Sequence, residues 1–183
     1  TEDDPSYTIE RISFAFSPPA LYPIIINTRP PVGIDWIALH IPKPRLNMPE
    51  VMAPLSGKPP AYFTHGICVL ESALPDKHED PVTMGANACL RLLHESGTDP
   101  RAIGRFEVGT ESAFDDSKPI ASYIGGCLEH VHGQGTFDDN AKSQTLFACV
   151  GGTLAVDNAV NWIKAGKNHG KKALVCTTDI ALY

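Results

Sequence analysis

From Asp80 onward the apolar positions fall into regular spacings. Val82, Ala86, Cys89, Leu90 and Leu93 recur at three- and four-residue intervals, which is one buried helix face. Asp80 stands at the N-cap, Pro81 at the first helical position and Gly97 just past the end, so the helix is punctuated on both sides. IGRFEVGT, Ile103 to Thr110, predicts a strand that runs into Glu111-Ser112-Ala113-Phe114-Asp115. Ser117 and Pro119 open a second helix that reaches about Val131 and closes at Gly133, with Asp115, Asp116 and Lys118 helping to cap it. Leu146 to Cys149 predicts a third strand and Gly152 to Ala165 a third helix, with Ala155, Val156, Ala159, Val160 and Ile163 as its core stripe. Lys172 to Thr178 predicts a fourth strand. Upstream, VGIDWIALHI from Val32 is apolar on both faces, as a buried strand is, whereas Pro42 to Lys77 has no clean period and reads as loops with one short helix.

Strand and helix alternation of this kind predicts an α/β fold, a layered parallel or mixed sheet with helices on its faces and right-handed crossovers. Residues 1–31 do not share the pattern. They are rich in proline, including Pro18-Pro19 and Pro30-Pro31, and read as an extended N-terminal arm ahead of a folded domain at 32–183.

Composition narrows the function classes. The chain has 183 residues, 43% hydrophobic and 20% charged, ordinary for a globular domain. Its net charge of −6 argues against nucleic acid as a partner, because such binding needs a cationic field. No apolar run approaches the roughly 20 residues of a membrane span, and Thr1-Glu2-Asp3-Asp4 has the wrong charge for a targeting peptide. A leader already removed fits a mitochondrial protein, with the cytoplasm as the other expectation. The five cysteines, Cys68, Cys89, Cys127, Cys149 and Cys176, are odd in number, widely spaced and set among apolar neighbours; they read as free thiols in a reducing, intracellular compartment. The seven histidines make no zinc motif: His130 and His132, two apart, do not share a helix face. The lysines around KAGKNHGKK read as a solvated helix end, and Trp36 and Trp162 as core or interface anchors.

Two groups carry candidate chemistry. In a parallel sheet, ligands sit beyond the carboxyl ends of the strands. Glu111 follows one predicted strand and Cys149 ends another, so both open on the same edge. A cysteine ahead of a helix feels the positive end of its dipole, which favours thiolate. Gly151-Gly152 permits close backbone approach and offers amides to a developing oxyanion, and a nearby glutamate is suited to general base catalysis. Taken alone, a cysteine at a strand end is more often packing than catalysis.

A family resemblance changes that balance. IGRFEVGTESAFDDSK at Ile103–Lys118 and ACVGGTLAVDNAVNWI at Ala148–Ile163 closely resemble the glutamate and cysteine segments of 3-hydroxy-3-methylglutaryl-CoA (HMG-CoA) synthase in its eukaryotic-type form. HEDPVTMGANACLRLL at His78, VGIDWIALHIPK at Val32 and ALVCTTDIALY at Ala173 match in the same order. The resemblance implies a truncated thiolase-like half and acyltransferase chemistry. The residue aligned with Cys149 takes acetyl from acetyl-CoA as a thioester. The residue aligned with Glu111 removes a proton from the acetyl methyl, and the enolate attacks acetoacetyl-CoA. Neither metal nor bound cofactor is implied.

Three departures from the family pattern stand out. Val150 follows the cysteine where the family has tyrosine, and Phe147 stands two places before it where the eukaryotic-type members have asparagine. Cys68, in FTHGIC, replaces the second glycine of a glycine-rich family stretch. The family's catalytic histidine belongs to a second half, and no histidine of this chain matches its motif. The resemblance therefore implies a protein partner covering the face that the second half covers. Two readings follow: a structural or interaction subunit of a larger assembly, a pseudoenzyme whose Cys149 and Glu111 are vestigial, or one part of a split or processed synthase working through acetyl-Cys149. The apolar substitutions and the proline-rich arm favour the first; retention of Cys149, Glu111, Gly151 and Gly152 favours the second.

Overall fold

A computed structural model describes residues 31–137 and 140–180. The proline-rich arm expected at residues 1–31 lies outside the described residues, apart from Pro31. The first ordered pairing is small: β1 (Arg45–Asn47) lies antiparallel to β2 (Glu71–Ala73). Between them the chain forms π-type turns at Met48–Met52 and Tyr62–Gly66 and a one-turn helix, α1 (Ala53–Ser56).

Then comes α2 (Pro81–Ser96), whose ends follow the sequence punctuation. Asp80 Oδ1 accepts from the Thr83 amide at 2.7 Å while Thr83 Oγ1 accepts from the Asp80 amide at 2.8 Å, a reciprocal capping box, and Gly97 ends the helix at φ 63°. β3 (Ile103–Thr110) is followed by α3 (Ile120–His132), β4 (Ala141–Leu146), α4 (Gly151–Lys164) and β5 (Lys172–Thr177). The three strands form one parallel sheet in the order β4-β3-β5.

The two faces of this sheet differ. Phe106 and Val108 of β3, with Leu174 and Cys176 of β5, pack against Val82, Cys89 and Leu93 of α2 and Ile120, Ile124 and Leu128 of α3. Each such large side chain, fully buried, contributes about 1.5–3 kcal/mol. The alternate positions meet α4, where small residues allow a close approach: Ala155 and Ala159 are buried. A Cβ on Gly109 would lie 2.4 Å from the Gly151 carbonyl carbon and the Gly152 nitrogen. Since α3 and α4 cross on opposite faces, the chain reverses its direction across the sheet after β4.

Three expectations need correction. VGIDWIALHI forms no strand: it has no ladder partner among the described residues, and Ile34 and Ile37 are each 70% exposed. Polar ties hold it instead, from Asp35 to Lys172 Nζ (2.8 Å), from the Leu39 carbonyl to Arg91 (3.2 Å) and from His40 to Glu79 (2.8 Å). Trp36 is accordingly an exposed residue, not part of the core. The strand expected at Leu146–Cys149 lies earlier, at the polar run Ala141–Leu146, and the apolar residues that suggested it are exposed. Of the α4 stripe, Val156 is exposed, Ala155 and Ala159 are buried, and Val160 and Ile163 are half-buried.

Candidate active site

The carboxyl ends of all three strands converge on one edge. Thr110 and Leu146 are register partners on β3 and β4, so Glu111 and Phe147 leave adjacent strands side by side. Neighbouring strands lie about 4.8 Å apart. Cys149 stands two residues beyond Phe147, and the chain after β5 brings Asp179 to the same edge.

Asp179 is the residue that sequence reasoning missed. Its Oδ1 accepts from the Thr110 hydroxyl at 2.9 Å, the Glu111 amide at 2.6 Å and the Ser112 hydroxyl at 3.3 Å. The Thr110 hydroxyl also donates to the Thr178 carbonyl at 2.8 Å, and Ser112 Oγ accepts from the Ile180 amide at 2.9 Å. These contacts between segments 67–69 positions apart, the one Thr110 hydroxyl hydrogen being shared between two acceptors, thus pin the backbone that carries Glu111. Asp179 is exposed, so water screens these bonds and each contributes less than a buried bond to a charged acceptor. Nothing local in the sequence marks this role, since it exists only once β3 and β5 pair.

Cys149 is not at a strand end. It is the middle residue of a single 3-10 turn, Ala148–Val150, that runs directly into α4. The Phe147 carbonyl closes this turn by accepting from the amides of Val150 (3.1 Å) and Gly151 (2.8 Å). Ala148 has φ 30°, a conformation that costs a non-glycine residue about 1–3 kcal/mol and tends to persist at functional sites. The thiol is exposed, with Phe147 and Val150 exposed beside it. Of the Gly151-Gly152 pair, Gly151 is buried: a Cβ there would meet the Thr145 carbonyl at 3.0 Å, and one on Gly152 would meet Thr177 Cγ2 at 2.5 Å. Their lack of side chains lets α4 start in the cleft between β3, β4 and β5.

The loop after Glu111 is anchored separately. Asp115 Oδ1 accepts from the amides of Ser117 (2.8 Å) and Lys118 (3.1 Å), and Oδ2 from the Tyr123 hydroxyl (2.5 Å). The Tyr123 bond, and next the Ser117 amide, hold the Asp115 carboxyl below its ordinary value. At α3 itself the first amide, Ile120, is capped from β4 by Gln144 Oε1 at 2.8 Å.

Cys149 just ahead of α4 and Glu111 at the end of the adjacent strand thus lie on one edge of the sheet. The family model described as hydroxymethylglutaryl-coenzyme A synthase N terminal matches residues 29–183. The chain belongs to the HMG-CoA synthase family. The synthase of Haloferax volcanii is 49% identical over 152 residues, covering 83% of this chain and 34% of that protein. That of Saccharomyces cerevisiae is 34% identical over 158 residues, covering 86% and 31%. A solved structure of MvaS in complex with 3-hydroxy-3-methylglutaryl coenzyme A aligns with a TM-score of 0.72 at 35% identity, over 82% of this chain and 34% of that one. The chain thus spans about a third of the length of the relatives it matches. Its mixed α/β fold is thiolase-like, as the family resemblance implied.

Set against the family pattern, Cys68 is informative. It occupies φ 55°, the left-handed region that favours glycine, where the resemblance places a glycine. No helix among the described residues is long and apolar enough to cross a membrane.

Proposed function

We propose that this chain supplies the acyl-accepting part of an HMG-CoA synthase site: Cys149 takes acetyl from acetyl-CoA as a thioester, and Glu111 removes a proton from the acetyl methyl. The observation that carries this reading is the Asp179 clamp. Asp179 accepts bonds from three successive residues, Thr110 to Ser112, and so fixes the backbone that carries Glu111, which supports a working carboxylate over an idle one. A thioester makes the α-hydrogens more acidic than an oxygen ester does, and a positioned carboxylate collects the proton. The enolate then attacks the ketone of acetoacetyl-CoA. Backbone amides near Gly151 and Gly152 are the candidates for holding the developing oxyanion, with the Gly151 amide itself already donating to Phe147.

The histidine that orients acetoacetyl-CoA, and the rest of the CoA site, come in this reading from a further protein segment seated on the outer face of α4. Leu154 and Val156 there, with Val150 and Phe147 at its start, are exposed apolar residues suited to such a cover. The same apolar residues support the second reading, a structural subunit with an idle thiol, because Phe147 and Val150 stand where the family carries polar groups. Intact-mass spectrometry after brief exposure of the purified native assembly to acetyl-CoA separates the two. One acetyl group on this chain, absent in Cys149→Ala, supports the synthase reading. An unmodified chain supports the structural one.

A further inference from the structure

The strand that leads to Cys149 is the least anchored of the three. None of the six residues of β4 is buried, and none belongs to the hydrophobic core. Hydrophobic patterning is what normally specifies register, and it is missing here. A two-residue slide of β4 along β3 keeps every side chain on its own face and moves the strand about 6.6 Å. Backbone groups re-pair after such a slide, so the ladder opposes it only weakly.

Beside Lys142, whose Nζ donates to the Phe137 carbonyl at 2.5 Å, two side chains oppose it, one on each face. Glu107 of β3 is fully buried, and its carboxylate accepts from Arg105 on its own strand and from the hydroxyl of Ser143, its register partner on β4. On the opposite face Gln144 accepts the Ile120 amide at 2.8 Å, supplying the N-terminal bond that α3 lacks from its own preceding residue. The two possible slides fail for different reasons. One brings Ala141 opposite Glu107 and leaves a buried carboxylate oxygen without its donor. The other brings Thr145 there, which could replace Ser143, but puts Leu146 in the place of Gln144 and orphans the Ile120 amide.

We infer that Ser143 and Gln144 are positioning residues that together fix the register of β4, and through it the place of the Cys149 turn along the sheet. The inference rests on the reading of Cys149 as the acyl acceptor for its functional consequence, but not for its structural one. Ser143→Ala and Gln144→Ala, singly and combined, test it by hydrogen exchange of the β4 amides and by the rate of acetyl uptake from acetyl-CoA. Each single variant is expected to speed exchange across 141–146 by about tenfold or more with β5 unchanged, and to slow acetylation of Cys149. Ser143→Thr restores both, because it returns the hydroxyl. Unchanged β4 exchange in the double variant overturns the inference, as does loosening of β5 to the same degree, which would show a merely global role. If the wild-type chain takes up no acetyl at all, the proposed function fails while the exchange result still decides the register claim.

Discussion

The two strands that flank β3 are built on opposite principles. β5 inserts Leu174 and Cys176 into the core beneath α2, and its end delivers Asp179 to hold Glu111. β4 buries no residue, is polar along most of its length, and delivers the exposed Cys149 through a turn with Ala148 at positive φ. On the function proposed above, the base rests on the well-packed side of the sheet and the nucleophile on the sparsely packed one. What Asp179 holds is the backbone that carries Glu111, whereas Cys149 is left open to an arriving group.

This contrast breaks first under core truncation. Leu174→Ala on β5 removes a side chain 3% exposed and is expected to cost about 2–5 kcal/mol, whereas Thr145→Ala on β4 stays within about 0.5 kcal/mol; urea midpoints of the two variants measure the difference. Gly109→Ala comes next. Its new Cβ would meet backbone of Gly151 and Gly152 at 2.4 Å, which cannot swing aside, so a loss of about 1–3 kcal/mol is expected by the same titration.

Thiol accessibility sharpens the comparison at lower energy. Cys89 on α2 has its thiol pushed well up by the hydrogen bond with Cys176 of β5 and then by burial, while Cys149 and Cys68 are exposed. Iodoacetamide is expected to label Cys149 and Cys68 in the folded chain and to reach Cys89 and Cys176 only in urea, as peptide mapping would show.

The smallest effect concerns acid. The Tyr123 hydroxyl and the amides of Ser117 and Lys118 hold Asp115 below its ordinary value. A depressed carboxyl contributes stability that is fully present above the unfolded value, about 3.9, and is lost as pH falls through the lower folded value. Asp115→Asn should therefore reduce stability at neutral pH and narrow the gap between urea midpoints at about pH 7 and about pH 2.

The readable parts of the sequence were those whose causes are local. Asp80, Pro81 and Gly97 bound α2 through contacts within three residues, and IGRFEVGT is a strand because its apolar positions face the core. β4 was displaced in the reading because LFAC is more apolar than AKSQTL, yet the ladder with β3 and the Ser143 and Gln144 bonds outweigh that preference. VGIDWIALHI read as a strand for the same reason, but it has no ladder partner among the described residues and is held by polar ties at separate points. That Glu111 and Cys149 share one edge of the sheet was legible from strand and helix alternation; Asp179 was not, because its partners are 68 and 69 residues away.

The central claim is that the β5 side aims Glu111 at an acetyl group carried on Cys149. Its most direct test is mass spectrometry of the acetylated chain in heavy water, following deuterium entering the acetyl methyl. The account predicts deuterium uptake in the wild type, none in Glu111→Gln, and uptake slowed about a hundredfold in Asp179→Ala, where the base is present but no longer held in place. Uptake at the wild-type rate in Glu111→Gln would contradict it.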